Sequence, residues 1–189
     1  MVPAVEPTKT QLARERRLMV AIHSQHGPLI TTQCALSSIS PSFIAALIAN
    51  ESGGERTVTR FEPAVFQRFL DVQHGKRPSY AGYTREKVEG KDTTSLRRLA
   101  TSWGLTQIMG YHAPRFGLEP IDLLVPERSI HTTLRLLAEF AGSNGLDLSA
   151  DYEELLRCWN SGSPTGKAHD PDYVGKAILR MKLYEEVYG

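Results

Sequence analysis

The sequence predicts a mainly α-helical domain with a minor β element, α+β only in that limited sense. Apolar residues recur at i, i+3, i+4 spacing in several stretches bounded by capping residues. One short run, Thr57-Val58-Thr59-Arg60-Phe61, has the β-branched and aromatic character of a strand. No linker, internal repeat or low-complexity segment divides the chain. With 189 residues and 41% apolar content there is enough material for one domain with a real core. Residues 1–189 are therefore expected as a single domain, with 1–8 as a flexible arm.

A first helix is expected from Lys9 to about Ser24, using Leu12, Leu18, Met19 and Ile22, with His26-Gly27-Pro28 as its stop. Leu29–Ser37 reads as a short second helix. Ser40-Pro41 opens the next, since Ser suits an N-cap and Pro the first helical position. After the expected strand, Glu62-Pro63 starts a helix to about Val72, buried through Val65, Phe66 and Phe69. Gln73–Gly90 is polar and Gly-containing, a long excursion or small hairpin holding Tyr80 and Tyr83. Asp92 caps a helix to about Thr101, with Leu96, Leu99 and Ala100 inward. Trp103–Gly110 reads as a turn into a short helix. Ser129 is the expected cap of a strong helix that carries Ile130, Leu134, Leu137 and Ala138 inward and ends at Gly142. Asp151 and Glu154 have capping-box spacing for the next, with Leu155, Leu156 and Trp159 inward. Asp170-Pro171 opens the last helix, to about Val187.

The formal net charge of +1 gives no electrostatic pull toward nucleic acid or an anionic membrane. A polymer ligand would be read by shape, hydrogen bonds and stacking. Cys34 and Cys158 are compatible with a disulfide or with two buried thiols. Two Cys and six scattered His suggest no metal site. No stretch approaches a membrane span. Met1–Leu12 has no apolar h-region, so no signal peptide is expected there.

Glu51 is the residue that raises a question of chemistry. It is the i+7 member of the stripe Ile44, Leu47, Ile48, near the end of a helix stopped by Gly53 and Gly54. Its side chain is expected to point inward, where burial favours the neutral acid. A carboxylic acid held protonated near neutral pH is what general-acid catalysis requires. The plain alternative is a Glu turned to solvent at a fraying helix end.

Four segments accompany one another in order. They are Glu51-Ser52-Gly53-Gly54, Phe61-Glu62-Pro63, Ser102-Trp103-Gly104-Leu105-Thr106-Gln107-Ile108-Met109-Gly110, and Trp159-Asn160-Ser161-Gly162 followed by Tyr173-Val174. With these the chain resembles the lysozyme-like superfamily that cleaves peptidoglycan. The first, third and fourth resemble the pattern of SLT-type lytic transglycosylases. The order, and the length between Glu51 and Gln107, resemble phage-type N-acetylmuramidases and endolysins. The resemblance spans about Ser40–Tyr184 and implies a helical domain similar to goose-type lysozyme.

The resemblance implies that Glu51 protonates the glycosidic oxygen and that Ser52, Gln107 and Asn160 contact substrate. Glu62, before a Pro at a helix N-terminus, is placed where the macrodipole favours its ionised form. It is either the second catalytic carboxylate or a plain N-cap, and Glu55 is a weaker candidate for the same place. Ser52 and Gln107 have structural readings too, as a helix cap and a turn-closing side chain. The chain departs from the transglycosylase pattern at Trp159, which replaces a Tyr and so lacks a hydroxyl. Tyr111 and Tyr173 are the candidates to supply it, and Tyr80 and Tyr83 could stack on sugars.

The expected activity is cleavage of the MurNAc-β-1,4-GlcNAc bond. The outcome is a 1,6-anhydro product if Glu51 works alone, or hydrolysis if Glu62 activates water. The expected partner is the glycan strand of the bacterial wall, met in the periplasm, outside the cell or by phage delivery. A monomer is expected, with no nucleic acid, membrane insertion, metal or cofactor. The rival expectations are a glycan-binding module without turnover, and a chitin- or chitosan-cleaving glycosidase on the same fold.

Overall fold

A computed structural model describes residues 7–189. It is mainly helical, with two small sheets. The contacts group the chain into two compact units, one from the chain up to Gly54 together with Leu134–Gly189, the other Glu55–Thr133. The arm expected over residues 1–8 lies outside the described residues except for Pro7 and Thr8.

The first unit is all helix: α1 (Lys9–Cys34), α2 (Pro41–Glu51), the second half of α6 (Pro126–Asn144), α7 (Tyr152–Ser161) and α8 (Tyr173–Tyr188). Thr8 caps α1 in a capping box with Gln11. The expected stop at His26-Gly27-Pro28 is wrong, because α1 runs through Pro28 and absorbs the second predicted helix. An interior Pro forfeits a hydrogen bond and costs about 3 kcal/mol. The buried stripe explains why the helix continues: Met19, Ile22, His26, Ile30 and Cys34 keep three- and four-residue spacing across the proline.

Helix α2 begins as read, with Ser40 Oγ accepting from the Phe43 amide at 3.2 Å and Pro41 in the first turn. Its burial differs from the expected stripe, since every residue from Ser42 to Ala49 is buried. It is a central helix, packed against α1 and α8. Phe43, Ile44, Leu47 and Ile48 are fully buried, each contributing about 1.5–3 kcal/mol. Helical phase therefore says less about Glu51 than the sequence suggested; its place at the end of a buried helix says more. Ser52 and Gly53 both donate their amides to the Ile48 carbonyl, and Gly53 and Gly54 take the positive φ of a left-handed stop.

Two further corrections concern helix starts. Ser129 is not a cap; it is buried inside α6, which starts at Pro126, and Ala138 is exposed. The Asp151–Glu154 capping box does not form, because Asp151 accepts from the Asp147 amide instead, at 2.8 Å. α6 also runs past Gly142, and Gly145, at φ 66°, follows its end. Cys34 and Cys158 are free and buried, and burial pushes the Cys34 thiol up to about 11.

The second unit carries the β structure. β1 (Thr59–Phe61), β4 (Thr101–Trp103) and β5 (Ile108–Met109) form an antiparallel sheet in the order β1-β4-β5, with Arg60 opposite Ser102 and Ser102 opposite Met109. Trp103–Gly110 is thus a hairpin where a turn into a helix was expected. Helix α3 (Pro63–Gln73) follows β1. The Gln73–Gly90 excursion holds a second hairpin, β2 (Ser79–Tyr80) and β3 (Tyr83–Thr84), turned by Ala81 and Gly82 at positive φ. α4 (Arg85–Val88) and α5 (Thr93–Leu99) complete it, with Asp92 capping α5 through the Ser95 amide at 2.7 Å. Phe69, Val72, Val88, Leu96, Leu99 and Ala100 form its core.

Candidate functional site

Glu51 is half-buried at the last residue of α2. Tyr173, the first residue of α8, donates its hydroxyl to Glu51 Oε1 at 2.5 Å. Tyr173 is itself buried. Burial, then the charge of Glu51, then the hydrogen bond to it hold the phenol far above its ordinary value, against a smaller opposing bond from Asn50. The hydroxyl therefore stays a donor at any physiological pH, and Glu51 Oε1 is its acceptor.

The residues behind this contact are polar and satisfied. Asn50 Nδ2 donates to the Tyr173 carbonyl at 2.9 Å, and Asn50 Oδ1 accepts from Arg180 Nη1 at 2.5 Å. Arg180 is buried and also donates through Nε to Glu15 Oε2 at 2.6 Å. Four side chains from α1, α2 and α8 thus lead to Glu51. The sequence reading missed Asn50, Arg180 and Glu15. A signal existed for Arg180: it lies on the buried stripe Tyr173, Ala177, Arg180, Tyr184, where a cation needs a partner.

On the same unit, Ser52 caps α2. Its Oγ donates to the Ile48 carbonyl and accepts from the Gly54 amide, both at 3.3 Å. Buried His26 donates from Nε2 to the Gly54 carbonyl at 2.9 Å, tying the stop after Glu51 to α1. Trp159 is half-buried and packs edge-on to Phe140, with ring centroids 6.3 Å apart. Asn160 is exposed and its Oδ1 accepts from the His169 amide at 3.0 Å, shaping the loop before α8.

In the second unit Gln107 closes the β4–β5 hairpin. Its Nε2 donates to the Val58 and Gly104 carbonyls, each at 3.0 Å, and its Oε1 accepts from Ser102 Oγ at 2.8 Å. These bonds hold a non-glycine residue at φ 52°, a conformation costing roughly 1–2 kcal/mol. Gly104 sits at φ 73°, and a Cβ there would lie 2.1 Å from the Leu123 carbonyl oxygen, so only glycine fits. Behind the turn, Thr106 Oγ1 and Thr133 Oγ1 are hydrogen-bonded at 2.7 Å, both buried.

Glu62 precedes α3 but makes no side-chain cap. Its Oε1 accepts from Arg60 Nε at 2.6 Å in a partly exposed ion pair. Glu55 is exposed and accepts from the Thr57 amide and hydroxyl, which hold its carboxyl below the usual range. Tyr80, Tyr83 and Tyr111 surround Phe69. Tyr83 donates to the Tyr111 carbonyl at 3.1 Å, and burial pushes the Tyr111 phenol up to about 12. Arg68 and Arg77 flank the Tyr80 ring. His112, against Tyr111, is lowered to about 4 by burial and then by Arg115.

Of the predicted site residues, the structure joins Glu51 to Tyr173. It gives Ser52, Gln107 and Asn160 bonds that shape backbone, and Glu62 a cationic partner. Tyr111 belongs to the packing around Phe69. Among the described residues no group of three or more His, Cys, Asp and Glu is arranged to hold a metal ion. Nor is any described helix long and apolar enough to cross a membrane. No protein-family model matches this chain, no curated protein matches it in sequence, and no solved structure matches it in fold.

Proposed function

We propose that this chain cleaves peptidoglycan glycan strands at the MurNAc-β-1,4-GlcNAc bond, on a lysozyme-like fold, with Glu51 as general acid and then base. The observation that carries the reading is the Tyr173 hydroxyl on Glu51 at the end of a buried helix. A general acid must be held in one geometry and still be reached by its substrate. A half-buried carboxyl fixed by a buried phenol meets both demands. The α2 C-terminus adds partial negative charge beside the carboxyl, which pushes toward its neutral, proton-donating form, while the Tyr173 bond supports the carboxylate that acts as base afterwards. Tyr173 also supplies a hydroxyl of the kind that Trp159 lacks.

In the reaction Glu51 gives its proton to the glycosidic oxygen as the bond to C1 breaks, and an oxocarbenium-like centre develops. The C6 hydroxyl of the same sugar then attacks C1 and returns its proton to Glu51. The product is a 1,6-anhydro sugar and no water is consumed. Hydrolysis would instead need a base for water. Glu62, paired with Arg60, is the sequence candidate, and Glu51 once deprotonated is the other.

Mass spectrometry of fragments from purified cell walls tests this reading. Anhydro ends, lighter than reducing ends by one water, are the expected product. Reducing ends alone would transfer the reading to a muramidase, and no fragments at all would end it. A second reading, a glycan-binding module without turnover, is favoured by the bonds of Ser52 and Gln107 to their own backbone. Retained wall binding with no drop in wall turbidity would select it. Parallel digestion of chitin and chitosan separates the remaining substrate class.

A further inference from the structure

We infer that Asn50 and Arg180 are positioning residues, which hold the start of α8 so that the Tyr173 hydroxyl stays on Glu51. The inference rests on the reading of Glu51 as the acid, and it extends that reading to residues that touch no substrate. The bonds follow one another without a gap. Glu15 on α1 binds Arg180 Nε, and Arg180 Nη1 binds Asn50 Oδ1. Asn50 Nδ2 binds the Tyr173 carbonyl, and the Tyr173 hydroxyl binds Glu51.

Each member has a reason to be the residue it is. Asn50 needs an acceptor for the guanidinium and a donor for the carbonyl, and a carboxamide supplies both from one planar group. Arg180 needs two donors in fixed directions, one for a carboxylate on α1 and one for the amide on α2. A lysine presents one compact charge and does not reach both in the same way. Glu15 neutralises the buried cation, which would otherwise be costly there. The bond from Asn50 to the Tyr173 carbonyl adds a second donor to that carbonyl and ties the first turn of α8 to the end of α2. That turn sets the direction of the phenol.

The charged and titratable groups around this chain of bonds include Glu15 on α1, Glu51 on α2, and Tyr173 and Arg180 on α8, with Asp170, paired to Lys176, within electrostatic reach of Arg180. Loss of the phenol's donation removes a charge-assisted bond from the carboxylate form of Glu51. Such a bond is worth enough to move a titration by about one pH unit.

The test uses full-length protein with 3-fluorotyrosine incorporated and fluorine NMR as the readout. The Tyr173 resonance is the one missing in Tyr173→Phe. Its acid-range titration step, absent in Glu51→Gln, reports the Glu51 carboxyl without any substrate. The expected result for Asn50→Ala is an upward move of that midpoint by up to about one pH unit. Turnover should fall about tenfold, with its basic limb moving the same way. Arg180→Lys should restore part of both effects relative to Arg180→Met. If Arg180→Met fails to fold because Glu15 is left without its cation, Glu15→Gln/Arg180→Met removes both charges, and Asn50→Ala removes none. Unchanged midpoints in folded Asn50→Ala and in the double variant would overturn the inference. A shifted midpoint in a protein that releases no wall fragments would uphold the positioning and reject the proposed function.

Discussion

The two units use similar polar side chains for opposite ends. Around Glu51, in the first, bonds join residues far apart in the chain: Glu51 with Tyr173, Asn50 with Arg180, Glu15 with Arg180. They converge on one half-buried carboxyl. Around the second unit's candidate residues most are short in sequence: Gln107 with Ser102 and Gly104, Glu62 with Arg60, Asp92 with Ser95, the Gln107 bond to the Val58 carbonyl being the long one. They finish turns, cap a helix and pair a surface charge. A Gln or Glu in a suggestive motif is thus no guide to reactivity until its hydrogen-bond partners are known.

The largest effect that tests this contrast is Glu51→Gln. It should keep the fold and lower wall cleavage by about 10³-fold, in the usual range for a lost general acid. Substantial residual activity in a turbidity assay would remove Glu51 from the site. Gln107→Ala should act through stability instead. It removes three side-chain hydrogen bonds, although the Val58 and Gly104 carbonyls and the Ser102 hydroxyl each keep a second partner, and should cost about 1–3 kcal/mol by urea unfolding. A large loss of turnover at unchanged stability would instead make Gln107 a substrate contact and blur the contrast.

His112 provides a pH test confined to the second unit. Its folded value of about 4 lies below the ordinary 6.5, so the unfolded chain takes up a proton first as pH falls. Its contribution is fully present above pH 6.5 and is lost on going down to about 4, worth at most about 3 kcal/mol. Unfolding midpoints measured across that range should fall in the wild type and fall less in His112→Gln. Equal slopes would show that another group dominates. The smallest effect expected is that of Glu62→Gln. It should change turnover less than about threefold, since an exposed ion pair contributes only about 0–1 kcal/mol. A severe loss, with reducing ends as product, would instead make Glu62 the base of a hydrolase.

What was legible in the sequence was what depends on near neighbours. Ser40 and Asp92 cap as read, Gly53 and Gly54 stop α2, and the Thr57–Phe61 strand forms in its last three residues. Pro28 misled because local propensity argued for a stop, while the buried stripe on either side of it held the helix together. Ser129 and Asp151 misled because each looks like a cap, and each found a use elsewhere. The β4–β5 hairpin was missed because its strands are two and three residues long and its turn rests on a left-handed Gln107. At the site, Glu51 and Tyr173 were readable as types. Their contact was not, since it joins positions more than a hundred residues apart and depends on how α8 meets α2.

Helix α8 also fixes a spacing. Tyr173 and Arg180 stand seven residues apart, nearly two turns, so both face α2. Inserting or deleting one residue between them would rotate one relative to the other by about 100° and separate the phenol from its anchor. The pair Asn50-Glu51 and the interval Tyr-x6-Arg should then be inherited together or lost together. Distant relatives of this chain are better sought by that joint interval than by overall identity, because surface and loop residues are free to drift while this distance is not.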